Sequence, residues 1–341
     1  MLQLALAAAA LGIAGAAHAG AAHADATPAA TAAVAAPADG CLAPHYRLIP
    51  LPLRPAAINA AGMIAGTNER HRASLWSAAA GARELPLPGG YDFAEGVAID
   101  AAGRVLAVAS DRAAVRYQAY TVDDRGMNLL PGTQTRAYKM ALNGTIGGEA
   151  QLPGQTNTQP VVWTGGAPHP LGPCCGGAVR DLNRSGAAIG VTYDAAGAFQ
   201  AFLWTEANGF QLIGPAGRYS SAVAINDRGH VVIQAFPDVY LYDGSRLKRL
   251  NLAPKHPSNP QALSNCEVIV GSYGPYSDAN RAFAWSPATG FIDLNSLIPP
   301  GTGWRLKSAV AISQSGAIVG KGEQQGEDGG FLLLPAAAAA R

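Results

Sequence analysis

The sequence predicts an all-β protein, a seven-bladed β-propeller with four strands in each blade. Three observations lead to this prediction. An apolar segment that ends in Asn or a substitute, then two residues and Gly, recurs seven times along the chain. Each repeat contains further short apolar segments, and Gly accounts for 41 of the 341 residues, about 12% against an average usage of ~7%. Four short strands in every repeat of about 42 residues are typical of a propeller blade.

The composition is that of a folded protein with balanced charge. Apolar residues make up 49% of the chain, which excludes an intrinsically disordered protein. Lys and Arg number 24 against 23 Asp and Glu, so the charge provides no basis for general binding to nucleic acid or to an anionic membrane.

The N-terminal segment is interpreted as a secretory signal peptide over residues 1–24. Residues 2–17 are almost entirely Ala, Leu, Gly and Ile, and Ala-His-Ala at 17–19 and 22–24 offers cleavage after Ala19 or Ala24. The apolar run of about 16 residues is short for a membrane span, so we expect a secreted or periplasmic bacterial protein without membrane insertion. No Lys or Arg precedes Arg47, so the positively charged segment that usually begins a signal peptide is absent. An uncleaved anchor and a plain Ala-rich leader therefore stay open as alternatives. Residues 25–45 are predicted to be a flexible linker.

The repeated turn positions define the seven units. Their spacings are 41, 41, 42, 43, 38 and 49 residues, and the positions are Asn59, Asp100, Ala141, Asn183, Asn226, Ser264 and Ser313. Asn or Asp opening a type I turn bonds the backbone two residues on, and the following Gly adopts the left-handed conformation that closes a short hairpin. We therefore interpret these turns as structural.

The second half of each unit contains two more predicted strands. The third strands are Ala73–Trp76, Ala119–Val122, Val161–Trp163, Ala201–Trp204, Val239–Tyr242 and Ala282–Trp285. The fourth strands are Leu85–Leu87, Leu129–Leu130, Leu171, Phe210–Leu212, Leu247–Leu250 and Phe291–Leu294.

The seventh unit predicts how the ring closes. It has three strands, the third at 331–334, and then runs into Pro335 and an Ala-rich tail, 336–341, that we expect to be disordered. The segment 46–53 resembles the fourth strand of the first unit, 84–88. We expect it to complete the last blade, which places the propeller at residues 46–335.

The repeats resemble the HAF-repeat family of bacterial extracellular repeat proteins. The similarity rests on the hairpins and on the third strands Gln200-Ala201-Phe202-Leu203-Trp204 and Arg281-Ala282-Phe283-Ala284-Trp285, and it spans residues 46–335. Gln200, Arg281 and Arg72 replace the His of the family motif. The resemblance implies a secreted β-propeller with no assigned activity.

One face of the propeller is the candidate binding site. The longer loops fall on the face opposite the tight turns, and aromatic and Arg side chains there suit an extracellular protein, peptide or glycan. The candidate ligand-binding residues are Arg70, Arg72, Arg112, Tyr193, Asp194, Tyr219, His256, Tyr273, Tyr276, Arg281 and Trp304. The alternative is that these side chains only solvate long loops. We expect a binding or structural module that is a monomer.

An enzyme that acts on extracellular glycans, or a small-molecule lyase, is the alternative function. Glycoside hydrolysis needs two facing carboxylates, but the acidic residues of this face, Asp92, Asp111, Glu149, Asp194, Asp238 and Asp278, occur one per loop. No nucleophile elbow, metalloprotease, phosphate-loop or calcium-loop motif occurs. We therefore predict no catalytic residue, no cofactor and no metal site.

The four cysteines suit an exported protein, and they allow three pairings. Cys266 lies in the first turn of the sixth unit, and Cys41 precedes the closing strand, which enters from the same face. The chain from Cys41 to Tyr46 spans roughly 16–18 Å, enough to cross one blade, so we favour a Cys41–Cys266 disulfide. Cys174 and Cys175 form a possible vicinal pair, which would be strained, on the other face.

Overall fold

The computed structural model of the chain describes residues 41–336, except 142, 173–175, 194–195, 254–255 and 276–278. The predicted signal peptide, Cys174, Cys175, Asp194, Tyr276, Asp278 and most of the predicted linker and tail therefore lie outside the described residues. The strands are β1 Tyr46–Leu51, β2 Arg54–Ile58, β3 Ile64–Thr67, β4 Ala73–Ser77, β5 Gly81–Glu84, β6 Phe93–Ile99, β7 Val105–Asp111, β8 Arg116–Asp123, β9 Gly126–Leu129, β10 Thr133–Met140, β11 Ile146–Gln151, β12 Gln159–Thr164, β13 Ala167–Pro170, β14 Gly177–Leu182, β15 Ala188–Tyr193, β16 Phe199–Thr205, β17 Gly209–Leu212, β18 Ser221–Ile225, β19 Val231–Ala235, β20 Asp238–Tyr242, β21 Leu247–Leu250, β22 Ser258–Leu263, β23 Ile269–Tyr273, β24 Arg281–Ser286, β25 Gly290–Asp293, β26 Trp304–Ile312, β27 Ile318–Gln324 and β28 Glu327–Pro335.

These strands form seven four-stranded antiparallel sheets, which confirms the predicted propeller. Blades one to six are β2–β5, β6–β9, β10–β13, β14–β17, β18–β21 and β22–β25. The seventh blade has the strand order β1-β28-β27-β26. A 3₁₀ helix, Leu294–Leu297, follows the sixth blade and is capped by the Asp293 side chain, which accepts a bond from the Asn295 amide.

The predicted closure of the last blade is confirmed. Strand β1 pairs antiparallel with β28, from Tyr46 opposite Pro335 to Leu51 opposite Gly330. The buried Tyr46 hydroxyl accepts a bond from the Ala43 amide at 3.0 Å and donates to the Gly316 oxygen at 3.2 Å. The N-terminal strand is therefore held by its side chain as well as by its backbone, and it covers the outer edge of β28.

The predicted disulfide is also confirmed. Cys41 and Cys266 are bonded, with their Cα atoms 5.1 Å apart and 225 positions apart in sequence. Cys266 lies in the tight turn of the sixth blade, and Cys41 leads into the outer strand of the seventh. The bond therefore links the start of the propeller to the blade beside the closure.

The residues at the glycine position of the seven tight turns have the predicted positive φ. Gly62, for example, has φ 77° and donates its amide to the Asn59 oxygen at 3.1 Å. In the sixth unit Glu267 occupies the glycine position and still adopts φ 58°. Several of these turns also contact the next blade: Asn59 Nδ2 donates to the backbone oxygen of Asp100 at 2.9 Å.

The predicted fourth strands need a correction of their bounds in several blades. In the first blade the strand ends at Glu84, and Leu85, predicted as its start, follows it. Leu85 is buried, and its amide continues the ladder to the Ala73 oxygen at 2.8 Å. Leu130 and Leu171 occupy equivalent positions after β9 and β13, each bonded to the third strand at 2.9 Å. The apolar residues that marked these strands in sequence therefore anchor their ends.

The core lies between neighbouring blades and contains aromatic side chains from the third strands. Phe202, Phe283 and Phe331 are fully buried and lie opposite glycines of the second strands. At one of these glycines, Gly190, an added Cβ would overlap the Ala178 backbone oxygen of the inner strand. Glycine is needed there because the inner strand approaches the second strand closely.

Candidate functional site

The antiparallel order of each blade separates two kinds of connection. The turns between first and second strands all lie on one side, which we call the tight-turn face. The loops between second and third strands, and the connections between blades, lie on the opposite, variable-loop face. The described candidate residues all lie at or beside loops of the variable-loop face: Arg70, Arg72, Arg112, Tyr193, Tyr219, His256, Tyr273, Arg281 and Trp304. Asp194 and Tyr276 lie outside the described residues.

Several of these side chains support the loops. Arg281 Nη1 lies 2.8 Å from Asp293 Oδ2, and the Tyr273 hydroxyl donates to the same oxygen at 3.0 Å. Burial opposes ionisation of Asp293, but hydrogen bonds from Asn295, Arg281 and Tyr273 outweigh it and lower the pKa of this carboxyl. The Tyr273 ring packs edge-on against Phe291, 4.8 Å away. Tyr273 at the end of β23 and Arg281 at the start of β24 are therefore both linked to Asp293 at the end of β25.

The candidate residues of the first, second and seventh blades, and His256 in the loop before the sixth, also contact neighbouring groups. Arg72 donates to the Asp92 backbone oxygen, whereas Arg70 is exposed and lies 3.6 Å from a Glu84 oxygen. The Arg112 guanidinium lies over the Phe93 ring, 4.4 Å from its centroid. Trp304 opens β26 and is half-buried, with its ring 6.4 Å from that of Phe331. His256 is exposed and lies 6.2 Å from Tyr273.

Tyr193 and Tyr219 belong to an exposed group of rings on the fourth blade. Phe199 and Tyr219 are stacked, with centroids 5.0 Å apart and an interplanar angle of 17°. The Tyr193 ring lies edge-on to Phe199 at 6.4 Å. Tyr219 is 62% exposed, Tyr193 42% and Phe199 39%. We call these three residues the aromatic cluster.

The loop of the fifth blade beside the cluster presents another exposed ring, Phe236, which is 71% accessible. Arg218, next to Tyr219, joins the two loops because its Nη2 donates to the backbone oxygens of Ala235 and Phe236, both at 3.0 Å. Arg218 Nη1 also lies 2.6 Å from Asp238 Oδ2. Hydrogen bonds from Arg218 and Arg249 lower the pKa of Asp238 and keep it ionised.

Sequence reasoning missed Phe199, Phe236 and Arg218. Phe199 precedes Gln200-Ala201-Phe202, so its position predicts a buried strand residue as readily as an exposed one. Its exposure follows from where β16 begins, beyond the packed part of the blade. The predicted propeller places blades four and five side by side, but no feature of the sequence indicates that Arg218 bonds the Phe236 loop.

A cleft of about 660 Å³ opens where the first and seventh blades meet on the variable-loop face. Arg54 and His71 line one side, with Arg54 Nη2 3.3 Å from His71 Nδ1. Lys307 lines the other side and lies 2.7 Å from Glu323 and 2.8 Å from Asp328. The hydrogen bond that Lys307 donates to Asp328, together with the one it donates to Glu323, raises the pKa of Lys307. The positive charge of Lys307 is thus balanced by two carboxylates of the seventh blade.

The central channel contains an apolar ring close to the tight-turn face. Each blade contributes the residue that precedes its tight turn: Ile58, Ile99, Met140, Leu182, Ile225, Leu263 and Ile312. All seven line a cavity of about 260 Å³ at the tight-turn mouth. Six of them also line a cavity of about 210 Å³ inside the channel, so the ring lies between the two cavities.

The acidic residues of the variable-loop face are engaged separately. Asp111 pairs with Arg116 at 2.7 Å, and Asp238 with Arg218. Glu149 accepts from the Tyr138 hydroxyl and from Thr158 Oγ1, each at 2.8 Å. Within the described parts of the chain, no group of three or more His, Cys, Asp or Glu side chains could hold a metal ion.

Over the described ranges, no helix has both the length and the hydropathy that crossing a bilayer requires.

The fold is similar to those of several solved structures. Virginiamycin B lyase from Staphylococcus aureus has a TM-score of 0.53 at 14% identity, covering 85% of this chain and 99% of that one. YCF48 bound to D1 peptide has a TM-score of 0.52 at 11% identity, covering 88% of this chain and 100% of that one. Puromycin hydrolase has a TM-score of 0.55 at 14% identity, and the match covers 87% of this chain and 55% of that one. No protein-family model and no curated protein matches the chain. These similarities establish the propeller fold.

Proposed function

We propose that the protein is a secreted or periplasmic binding module that takes an extracellular peptide, protein or glycan on its variable-loop face. The observation that carries this proposal is the group of exposed rings on blades four and five: the aromatic cluster and Phe236. Large exposed aromatic side chains gathered on one surface are typical of interaction sites, because soluble proteins otherwise bury them.

The rings suit recognition for two physical reasons. Tyr and Phe bury a large area on binding and lose little rotamer entropy, so they dominate the energetics of many interfaces. The stacking of Tyr219 on Phe199 already restricts both rings before any ligand arrives. Less ordering entropy is then lost on binding.

The loops that carry the rings are also held in place. Arg218 bonds the backbone of the Phe236 loop, and its own charge is balanced by Asp238. Arg249 Nε donates to the second oxygen of that carboxylate at 2.8 Å. This network supports a preformed surface in preference to two independent loops.

Several further observations support parts of the proposal. The Cys41–Cys266 disulfide and the Ala-rich leader fit an exported protein. The repeat motifs fit membership of the HAF-repeat family, which we include in the proposal. YCF48, one of the similar folds, is bound to a peptide, so a propeller of this size has been seen with such a partner.

The test is a binding screen with a matched pair of variants. Purified protein is applied to a glycan array and to a displayed peptide library, and each ligand found is then titrated against the double variant Tyr219→Ser/Phe236→Ser. We expect a loss of about 30-fold or more in affinity, since a buried aromatic contact is worth about 2 kcal/mol.

Leu129→Ser is the matched control. Leu129 is 54% exposed on the outer strand of the second blade, so this change also removes an exposed apolar side chain. We expect this variant to bind like the wild type. Equal affinity of the double variant and the wild type for every ligand found, or chemical turnover of a ligand, would contradict the proposal.

A further inference from the structure

Each inner strand carries a bulge at one shared place, three residues before the turn position. The bulged residue has no partner in the second strand, and all seven such residues line the cavity inside the channel: Ala56, Val97, Tyr138, Arg180, Val223, Gln261 and Val310. Five blades supply small aliphatic side chains or Gln there, and the third supplies Tyr138. Arg180 is the charged member of this ring.

The Arg180 guanidinium is positioned by a ring of the neighbouring blade. It lies over Tyr138, 4.5 Å from the ring centroid. Tyr138 is held in turn by the hydrogen bond from its hydroxyl to Glu149 Oε1 at 2.8 Å. Among the described residues Arg180 has no carboxylate within ion-pair distance and makes no hydrogen bond with its side chain, and it is exposed to the channel. Its planar set of donors is therefore available to a ligand.

The acidic groups nearest this wall are already engaged. Asp181 accepts from the amides of Leu182 and Ile225 at 2.9 and 3.0 Å, and Lys139 Nζ lies 3.1 Å from the same carboxylate. Glu149 is bonded by Tyr138 and Thr158, and Arg136 lies 3.8 Å away. Lys139 and Arg136 thus balance one carboxylate each. Among the described residues of this wall, the positive charge of Arg180 has no counterpart.

The floor of the same cavity is apolar. The ring formed by Ile58, Ile99, Met140, Ile225, Leu263 and Ile312 borders it on the side of the tight turns. A ligand that fits both surfaces needs an anionic group for Arg180 and a hydrocarbon part for the ring. The volume of about 210 Å³ restricts it to a small molecule.

We propose that the channel binds a small organic carboxylate, with its carboxylate on Arg180 and its aliphatic or aromatic part on the apolar ring. A guanidinium binds a carboxylate through two parallel charge-assisted hydrogen bonds, a geometry that an amide cannot match. The site lies in the channel and does not use the aromatic cluster, so it stands apart from the proposed function.

Benzoate is the probe, and its neutral isostere benzamide is the control ligand. Calorimetric titration of the full chain at low ionic strength should show saturable benzoate binding in the millimolar range and at least tenfold weaker benzamide binding. Along the series acetate, butyrate and hexanoate, affinity should rise by up to about fourfold for each added methylene, because each buries more apolar surface. No saturable benzoate binding, or equal binding of benzamide, would overturn the proposal.

Variants locate the site. Arg180→Met should weaken benzoate binding at least tenfold, whereas Arg180→Lys, which keeps the charge, should retain part of it. Arg125→Met removes an exposed arginine on a hairpin of the second blade and should leave the affinity unchanged. The melting temperature of each variant without ligand shows that it is folded. Benzoate affinity equal to wild type in Arg180→Met would overturn the assignment, and so would a matching loss in Arg125→Met.

Discussion

The side-chain amide of Asn183 donates a hydrogen bond to the backbone oxygen of Asn226, the equivalent residue of the next blade, at 3.2 Å. The other side-chain atom, Oδ1, accepts from the amides of Ser185 and Ala187 within its own turn, at 3.1 and 3.0 Å. Asn226 repeats the arrangement toward Ser264 in the sixth blade. The turn residues of blades four to six therefore form a continuous chain of hydrogen bonds between blades.

Asn183→Asp separates the two roles of this side chain. The carboxylate still accepts the bonds of its own turn, but it has no donor for Asn226 and places a negative charge beside a backbone oxygen at a buried site. We expect the free energy of unfolding in urea to fall by about 1–3 kcal/mol. Asn143→Asp, at an exposed turn position, is the control and should change it by less than about 0.5 kcal/mol. Equal effects of the two substitutions would show that the bond between blades contributes nothing.

Tyr46 makes the stability of the closure depend on pH. Burial raises its pKa from 10.0 to about 12, although the hydrogen bond from the Ala43 amide opposes the shift. Below pH 10 the phenol is neutral in both states. Between pH 10 and 12 the unfolded chain releases its proton while the folded protein retains it, so stability falls as pH rises.

Tyr46→Phe removes this effect. Between pH 9 and 11 the wild type should lose about 1 kcal/mol of unfolding free energy more than the variant. At pH 8 the variant should be less stable by about 1–2 kcal/mol, because it lacks both hydrogen bonds of the hydroxyl. Urea unfolding of both proteins at the three pH values measures both quantities. Parallel pH dependences would show that Tyr46 titrates as it does in the unfolded chain.

The Cys41–Cys266 bond should stabilise the closed ring. Reduction with dithiothreitol is expected to lower the free energy of unfolding by about 2–5 kcal/mol, because the bond restricts the unfolded chain over 225 positions. The double variant Cys41→Ser/Cys266→Ser is the control and should not respond to the reductant. Mass mapping of the unreduced protein should find the Cys41–Cys266 peptide pair. A link from Cys41 to Cys174 or Cys175 would refute this connectivity.

The N-terminal strand should be required for folding. Removal of residues 1–54 deletes β1 and leaves the outer edge of β28 unpaired, so we expect an insoluble or strongly destabilised protein. Removal of residues 1–40 keeps every described strand and should preserve a cooperative thermal transition. A soluble, cooperatively melting protein that lacks residues 1–54 would contradict this form of closure.

Much of the fold was predictable because its determinants are local and repeated. The Asn59-to-Gly62 turn needs only an acceptor side chain and a residue with positive φ, and both are visible in sequence. The Cys41–Cys266 pair was favoured among three possible pairings because both residues enter the ring from the same face. The ends of the fourth strands were less predictable. Leu85 is buried just after the strand and anchors its end, so its apolar character marks the residue after the strand and not the start of the strand.

For the candidate site, the sequence predicted the face of the propeller but not the side chains that come together there. Tyr193 and Tyr219 were expected among the ligand-binding residues, but their shared partner Phe199 was not. How the loops of blades four and five contact each other depends on the start of β16 and on the hydrogen bond from Arg218 to the Phe236 loop. These features depend on contacts between segments that no local pattern relates.

The sequence by itself determined the architecture, because the turn motif, the strand pattern and the number of repeats specify seven similar blades. The excess of glycine belongs partly to these turns. Only the tertiary structure showed its second cause, at positions such as Gly190, where the bulged inner strand leaves no room for a Cβ. It also decided that Arg180 lies over Tyr138 with no carboxylate partner among the described residues. Ring closure brings residues of different repeats together, and the contacts that result depend on how the blades pack.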